Sequence, residues 1–235
     1  VGPAGSAAVV TAAATRMAGS SPLPARDILR ALGAELGEAP AWPAQSPFEY
    51  VCGIVLVQNA AWTNVERALA LLREATGFDP ERLLCLSDTE LTALIRPVGF
   101  MRAKSRALRG YAAWMLSPVG QAAWGLDDDA LRSVLLALPG IGPESADVVA
   151  LMVFGRRRFI FDTYGRRLLQ QAGYDVGRDY ETTRRALETT IGAEHLTHAE
   201  LVALHGLVIK AGQRARAAGG WEVYGPRIGI GVSSS

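Results

Sequence analysis

The residues able to do chemistry cluster around a glycine turn and two carboxylates. The run Leu138-Pro139-Gly140-Ile141-Gly142-Pro143-Glu144-Ser145-Ala146-Asp147 joins a helical stretch ending near Ala137 to a second one opened by Pro143. Gly140 and Gly142 permit a tight turn with no side chains in the way. The helix that follows offers free backbone N–H groups and the positive end of its dipole, a site that suits a phosphate. Further on, past Gly155 and the basic loop Arg156-Arg157-Arg158, Phe161-Asp162-Thr163 sets a carboxylate at the start of another helix. Asp162 can cap that helix. A carboxylate so placed can also stabilise developing positive charge or orient or deprotonate a water. Amine nucleophiles are scarce, because 22 of the 24 basic residues are arginine and only Lys104 and Lys210 are lysine. Any mechanism that needs a lysine has two candidates.

Short helices must position these groups. Ser46-Pro47-Phe48-Glu49 combines a capping serine, a proline suited to the first helical position and a glutamate able to reach back. Thr63 to Glu66, Ser87 to Glu90 and Thr197 to Glu200 repeat the box, and Asp79-Pro80 gives a fifth start. Apolar spacing predicts further helices over 103–116, 128–137, 143–154, 163–172 and 180–191, separated by Gly or Pro stops. Only Phe159-Ile160-Phe161 reads as extended, and one tripeptide cannot make a sheet. The fold class expected is all-α.

Composition bounds the rest. A chain of 235 residues, 49% hydrophobic and 20% charged with a net charge of +1, is globular and long enough for a sizeable core. Residues 1–22 are expected to form a flexible arm. No segment approaches the roughly 18 apolar residues of a membrane helix, so a soluble, cytoplasmic chain without membrane contact is expected. Cys52 and Cys85 are too few for an iron–sulfur cluster or a Cys₄ zinc site, and His195, His198 and His205 show no metal-ligand spacing. The small net charge conceals a partition along the chain. Arg102, Lys104, Arg106 and Arg109 share one helix without an acid between them, Arg156, Arg157, Arg158, Arg166 and Arg167 surround Asp162, and acids gather at Asp127, Asp128 and Asp129.

The hairpin followed by the Asp162-Thr163 pair resembles the helix-hairpin-helix DNA glycosylase superfamily, to which endonuclease III belongs. Leu56-Val57-Gln58-Asn59, Arg96-Pro97-Val98-Gly99-Phe100 and His205-Gly206-Leu207-Val208 extend the resemblance, in family order, over roughly 40–216. It implies two helical lobes with a DNA cleft between them: a six-helix lobe over 43–156 carrying the hairpin, and a second built from 23–42 and 157–235. It implies double-stranded DNA as partner, a monomer, Asp162 as the catalytic carboxylate, Gln58 as the side chain that fills the gap left by a flipped nucleotide, and Asn59, Lys104, Gly140, Ile141, Gly142 and Ser145 as DNA contacts. A monovalent cation on the hairpin carbonyls is also possible by resemblance, and no other cofactor is implied.

Members that also cut the strand attack the sugar with a lysine in the second hairpin helix. Glu144 stands at that position and cannot form an imine, so base hydrolysis that leaves an abasic site is expected. That exchange, with the lack of a cysteine cluster, is similar to the 3-methyladenine branch of the endonuclease III type. Ala39-Pro40-Ala41-Trp42-Pro43, Gln58-Asn59 followed by Trp62, and Ile141 to Asp147 carry this likeness. A base methylated on a ring nitrogen is cationic, leaves readily and stacks on an indole. Trp62 and Trp42 are therefore the expected pocket walls, with Glu144 lining the pocket, while Trp114 and Trp124 read as core. The competing readings are a glycosylase with strand cleavage for oxidised pyrimidines, disfavoured by Glu144, and a DNA-binding module without catalysis, disfavoured by Asp162.

Overall fold

The computed structural model describes residues 21–40, 42–192 and 194–231. All but the last two residues of the expected N-terminal arm, Ala41 of the tryptophan-proline segment and the last four residues of the chain lie outside them. Thirteen α-helices and three short 3₁₀ turns make up the regular structure, with no strand among the described residues, so the chain is all-α as expected. Phe159-Ile160-Phe161 is extended chain that buries Ile160 and Phe161 as it runs between helices. No helix among the described residues is long and apolar enough to cross a membrane.

Eight helices enclose the first core: α2 (Pro47–Val57), α3 (Trp62–Thr76), α4 (Pro80–Cys85), α5 (Asp88–Leu94), α6 (Met101–Leu116), α7 (Pro118–Ala122), α8 (Asp128–Leu136) and α9 (Pro143–Met152). Their starts follow from local chemistry. The Ser46, Asp79 and Ser87 side chains each accept a backbone N–H three residues on, satisfying groups a helix leaves bare. Ser87 and Glu90 form the full reciprocal box. At Ser46 the glutamate departs from it: Glu49 is buried, accepts from the Gln45 N–H and pairs with Arg73. The box expected at Thr63 is absent, because α3 begins at Trp62 behind Ala61 with no side-chain cap. Helix α2 is apolar on every side and runs through the centre of the lobe, where Phe48 stacks on Tyr111 of α6 at 6.3 Å. Each such fully buried side chain stabilises the fold by about 1.5–3 kcal/mol.

The second core joins α1 (Ala25–Leu36) to α10 (Thr163–Gln171), α11 (Tyr180–Gly192), α12 (His198–Ala217) and α13 (Trp221–Tyr224). Helix α1, first in sequence, packs along the twenty-residue α12 at the other end of the chain. Polar bonds hold the return: Glu194 accepts the Ala25 and Arg26 N–H groups, and the Lys210 ammonium donates to the Leu36 carbonyl at 2.8 Å, closing the bare end of α1.

A ladder of charges joins the two cores. Arg132 on α8 binds Asp147 of α9 at 2.9 Å and Glu181 of α11 at 2.8 Å. The Tyr180 hydroxyl donates to the other Asp147 oxygen at 2.9 Å. Arg184 pairs with Glu181 and Glu188, Arg158 with Glu188 and Asp128. Asp147 and Arg132 are almost wholly buried, so this pair acts as a latch that is costly to half-break.

Candidate active site and nucleic-acid interface

The hairpin turn is built as the glycines require. Gly140 has φ +73°, and a Cβ added there would stand 2.7 Å from the Ala107 Cβ of α6, so conformation and close packing both demand glycine. The Ile141 N–H closes the turn onto the Leu138 carbonyl at 3.2 Å, and Gly142 leads into α9 behind Pro143. Gly140, Gly142 and Glu144 face solvent, whereas the Ile141 and Ser145 side chains are buried. As DNA contacts, Ile141 and Ser145 are thus limited to their backbone. The Gln58 amide donates to the Gly140 carbonyl at 3.2 Å and to Ser145 Oγ at 3.0 Å, so the residue expected to enter the duplex is docked on the hairpin here. It also engages a turn carbonyl that a cation would compete for.

Asp162 caps α10, its Oδ1 accepting from the Gly165 N–H at 2.6 Å, with only 8% of the residue exposed. Burial pushes its carboxyl up from an ordinary 3.8 to about 6, against the lowering effect of the Gly165 and Tyr164 N–H groups and of Arg166. Glu144 is near enough to feel it. Its carboxyl is also raised, first by desolvation and then by the Asp162 charge, with Arg166 opposing. Glu144, from the first turn of α9, and Asp162, from the cap of α10, therefore share one site with Arg166, whose Nη1 is held by the Arg178 carbonyl at 3.0 Å. Phe161, beside Asp162, meets the Tyr180 ring edge-on at 6.3 Å, which ties the extended segment before the carboxylate to the inter-lobe ladder.

Trp42 and Trp62 come together edge to face, with ring centroids 5.2 Å apart and planes at 70°. Trp42 presses on α2 where a Cβ at Gly53 would meet its ring at 2.8 Å; Trp62, at the start of α3, leaves 36% of its surface open. Trp114 packs on Tyr111 at 5.2 Å, but Trp124, expected in the core, is 55% exposed against Phe154. Asn59 is exposed and left-handed at φ +53°.

Sequence reasoning passed over Phe100. It is the most exposed large apolar side chain among the described residues, at 69%, and its φ of +51° is strained for an aromatic residue. Exposure and strain together make Phe100 a candidate contact residue. The preceding Gly99, in a Pro-Val-Gly-Phe run ahead of α6, was the available signal.

Lys104 requires a correction. Expected on the DNA face of a basic helix, it is only 4% exposed, and its ammonium donates to the Leu56 and Val98 carbonyls at 2.8 and 3.1 Å. The basic helix is mixed in role, since Arg109 binds the Leu84 and Leu86 carbonyls and pairs with Asp88, while Arg102 and Arg106 are exposed. In the loop before Asp162, Arg156 is held by the Trp124 and Leu126 carbonyls and Arg158 by acids. Arg157 and Arg167 remain exposed. Cys52 is buried with its thiol pushed up by burial, and no cluster of three or more His, Cys, Asp or Glu able to hold a metal occurs among the described residues.

Residues 52–192 match the HhH-GPD superfamily of base excision DNA repair proteins. A Methanocaldococcus jannaschii protein that carries the name "Putative DNA repair glycosylase" is 33% identical over 136 residues, covering 56% of this chain and 62% of that protein's length. Endonuclease III of Sulfolobus acidocaldarius is 27% identical over 171 residues, or 71% of this chain and 73% of its own. Among solved structures, the H. pylori 3-methyladenine DNA glycosylase bound to 1,N6-ethenoadenine superposes with a TM-score of 0.66 at 24% identity, covering 82% of this chain and 98% of that one. A trapped endonuclease III–DNA covalent intermediate gives 0.66 at 22% identity, with coverage of 83% and 88%. These two share the fold. With a family match over more than half its length, the chain belongs to the HhH-GPD superfamily of base excision DNA repair proteins.

Proposed function

We propose that the protein is a monofunctional DNA glycosylase that hydrolyses alkylated bases such as 3-methyladenine from double-stranded DNA and leaves an abasic site. The observation that carries this reading is the disposition of amines and carboxylates. A buried carboxylate stands at the family's crossover, Glu144 occupies the hairpin position where a lyase needs its amine, and both ammonium groups of the chain are bonded to helix-end carbonyls. Amines so engaged are turned toward the protein backbone and away from a sugar carbon.

The geometry supports a direct mechanism. With a carboxyl at about 6, Asp162 is mostly ionised at neutral pH and can stabilise the oxocarbenium-like sugar as the bond to the base lengthens. It also retains enough basicity to accept a proton from the attacking water. The departing base, cationic before cleavage, needs no general acid. It would stack on the open indole of Trp62, braced by Trp42, where cation–π attraction favours a methylated ring over a neutral one. Glu144, in the first turn of α9, adds a second carboxyl beside Asp162. Gln58, once released from the hairpin, and Phe100 are the side chains placed to fill and wedge the stack. The hairpin N–H groups, Asn59 and the exposed Arg102 and Arg106 take phosphates, which bind without reading sequence. We place the enzyme as a monomer on cellular DNA, with no cofactor in the chemical step.

One gel tests this. Release of 3-methyladenine with no strand break supports the proposal. Nicking of thymine-glycol DNA, or binding without product, contradicts it.

A further inference from the structure

We infer that Lys104 is a positioning residue that fixes the distance between the two loops that enter DNA, one carrying Gln58 and the other Phe100. Its ammonium reaches from α6 to two carbonyls at once, Leu56 at 2.8 Å and Val98 at 3.1 Å, in a pocket that leaves 4% of the residue exposed. Leu56 lies in the last turn of α2, two residues before Gln58. Val98 ends the 3₁₀ turn Arg96–Val98, two residues before Phe100. Three residues beyond Leu56, at Asn59 with φ +53°, and two beyond Val98, at Phe100 with φ +51°, the backbone turns left-handed. The two loops belong to elements far apart in sequence, and one side chain sets them side by side.

A lysine suits this task. Both anchored carbonyls lie at helix ends, where backbone acceptors have no partner of their own and the dipole favours a cation. A single point charge with donors in several directions can hold two such carbonyls, which a neutral side chain of the same length leaves unsatisfied and buried. Since a shift of about 1 Å in a positioning element can cost about 100-fold in rate, the loops need such a pin to insert their side chains together.

The inference rests on the reading of Gln58 and Phe100 as the residues that enter the duplex, and the test separates the two. Wild type, Lys104→Met and Lys104→Arg are compared in single-turnover excision of 3-methyladenine, paired with thymine or mispaired with cytosine. A 2-aminopurine beside the lesion, or beside a tetrahydrofuran abasic analogue, reports unstacking. For Lys104→Met we expect the paired lesion to lose about 10- to 100-fold in excision rate. The mispaired lesion, which costs less to flip, should lose only about 3-fold or less. The 2-aminopurine signal should be lost, with Kd changed by about 3-fold or less because phosphate contacts on the hairpin and on the exposed arginines lie outside the pinned loops. Lys104→Arg keeps a cation but alters the spacing, and should show a smaller loss confined to the paired lesion; it is the variant read if Lys104→Met does not fold. In a Gln58→Ala/Phe100→Ala background, Lys104→Met should cost nothing more. Equal losses on paired and mispaired lesions, or a full further loss in that background, would overturn the inference by showing a merely structural lysine. If wild type excises neither lesion, the substrate reading fails, and unstacking at the tetrahydrofuran site still decides the role of Lys104.

Discussion

Asp162→Asn is expected to abolish excision and to make the protein more stable. The folded chain binds the Asp162 proton more tightly than the unfolded chain, since burial raises the carboxyl from 3.8 to about 6. Ionising it inside the fold therefore costs stability. The cost is absent below pH ~3.8, grows between there and pH ~6, and is complete above. At about 1.4 kcal/mol for each pH unit the rise corresponds to about 3 kcal/mol at neutral pH, an upper figure for a group 8% exposed. Asparagine keeps an oxygen to accept the Gly165 N–H but carries no charge, so it should recover about 1–3 kcal/mol. At ~2–4 °C per kcal/mol for a chain of this size, that is a gain of about 2–12 °C in Tm at pH 8. The gain should vanish at pH 4, where wild type is itself largely protonated. The wild-type single-turnover rate should fall about tenfold from pH 7 to pH 5 as the carboxylate is lost. Thermal melts of both proteins at the two pH values decide the matter. A variant less stable than wild type at pH 8, or equally stabilised at both pH values, would refute the assignment of Asp162 as a charge held in the site at the fold's expense.

Other outcomes follow from the same geometry. Trp62→Ala should lower excision of 3-methyladenine by ~5- to 150-fold, the value of one base–aromatic stack of ~1–3 kcal/mol, while Trp124→Ala leaves it unchanged; single-turnover kinetics of the two variants are the check. Glu144→Lys places an amine beside Asp162 where the family's lyases carry theirs, and borohydride should then trap it on abasic DNA. Absence of any trapped species would mean that position 144 does not face the sugar. Asp147→Ala leaves the Tyr180 hydroxyl without its acceptor and Arg132 with Glu181 alone, and denaturant titration should show a loss of about 1–3 kcal/mol.

Much of this was legible in the residues because it is local. A capping serine, threonine or aspartate followed by proline or by a glutamate three residues on sets a helix start locally, and the structure begins helices behind Ser46, Asp79, Ser87 and Thr197. The glycine turn and the Asp162 cap are similarly self-sufficient. What misled was charge read along the chain without its face. Lys104 lies in helical register with Ala107, Leu108 and Tyr111, all buried, so the spacing itself put it on the inner side of α6. Arg156 and Arg158 were assigned by nearness to Asp162, yet the acids of α11 and the carbonyls after α7, far away in sequence, take them up. Thr63 failed as a cap because Trp62, drawn onto Trp42, starts the helix earlier. Pairing between the tryptophans, and between Glu144 and Asp162, depends on how the lobes close, which no window of sequence contains.

The central claim is hydrolysis without an imine, and borohydride trapping tests it most directly. Wild-type protein incubated with 3-methyladenine DNA and then with abasic DNA should release the base, leave the strand intact until alkali is added, and give no covalent complex. A borohydride-stable adduct that disappears on mutation of Lys104 or Lys210 would contradict it.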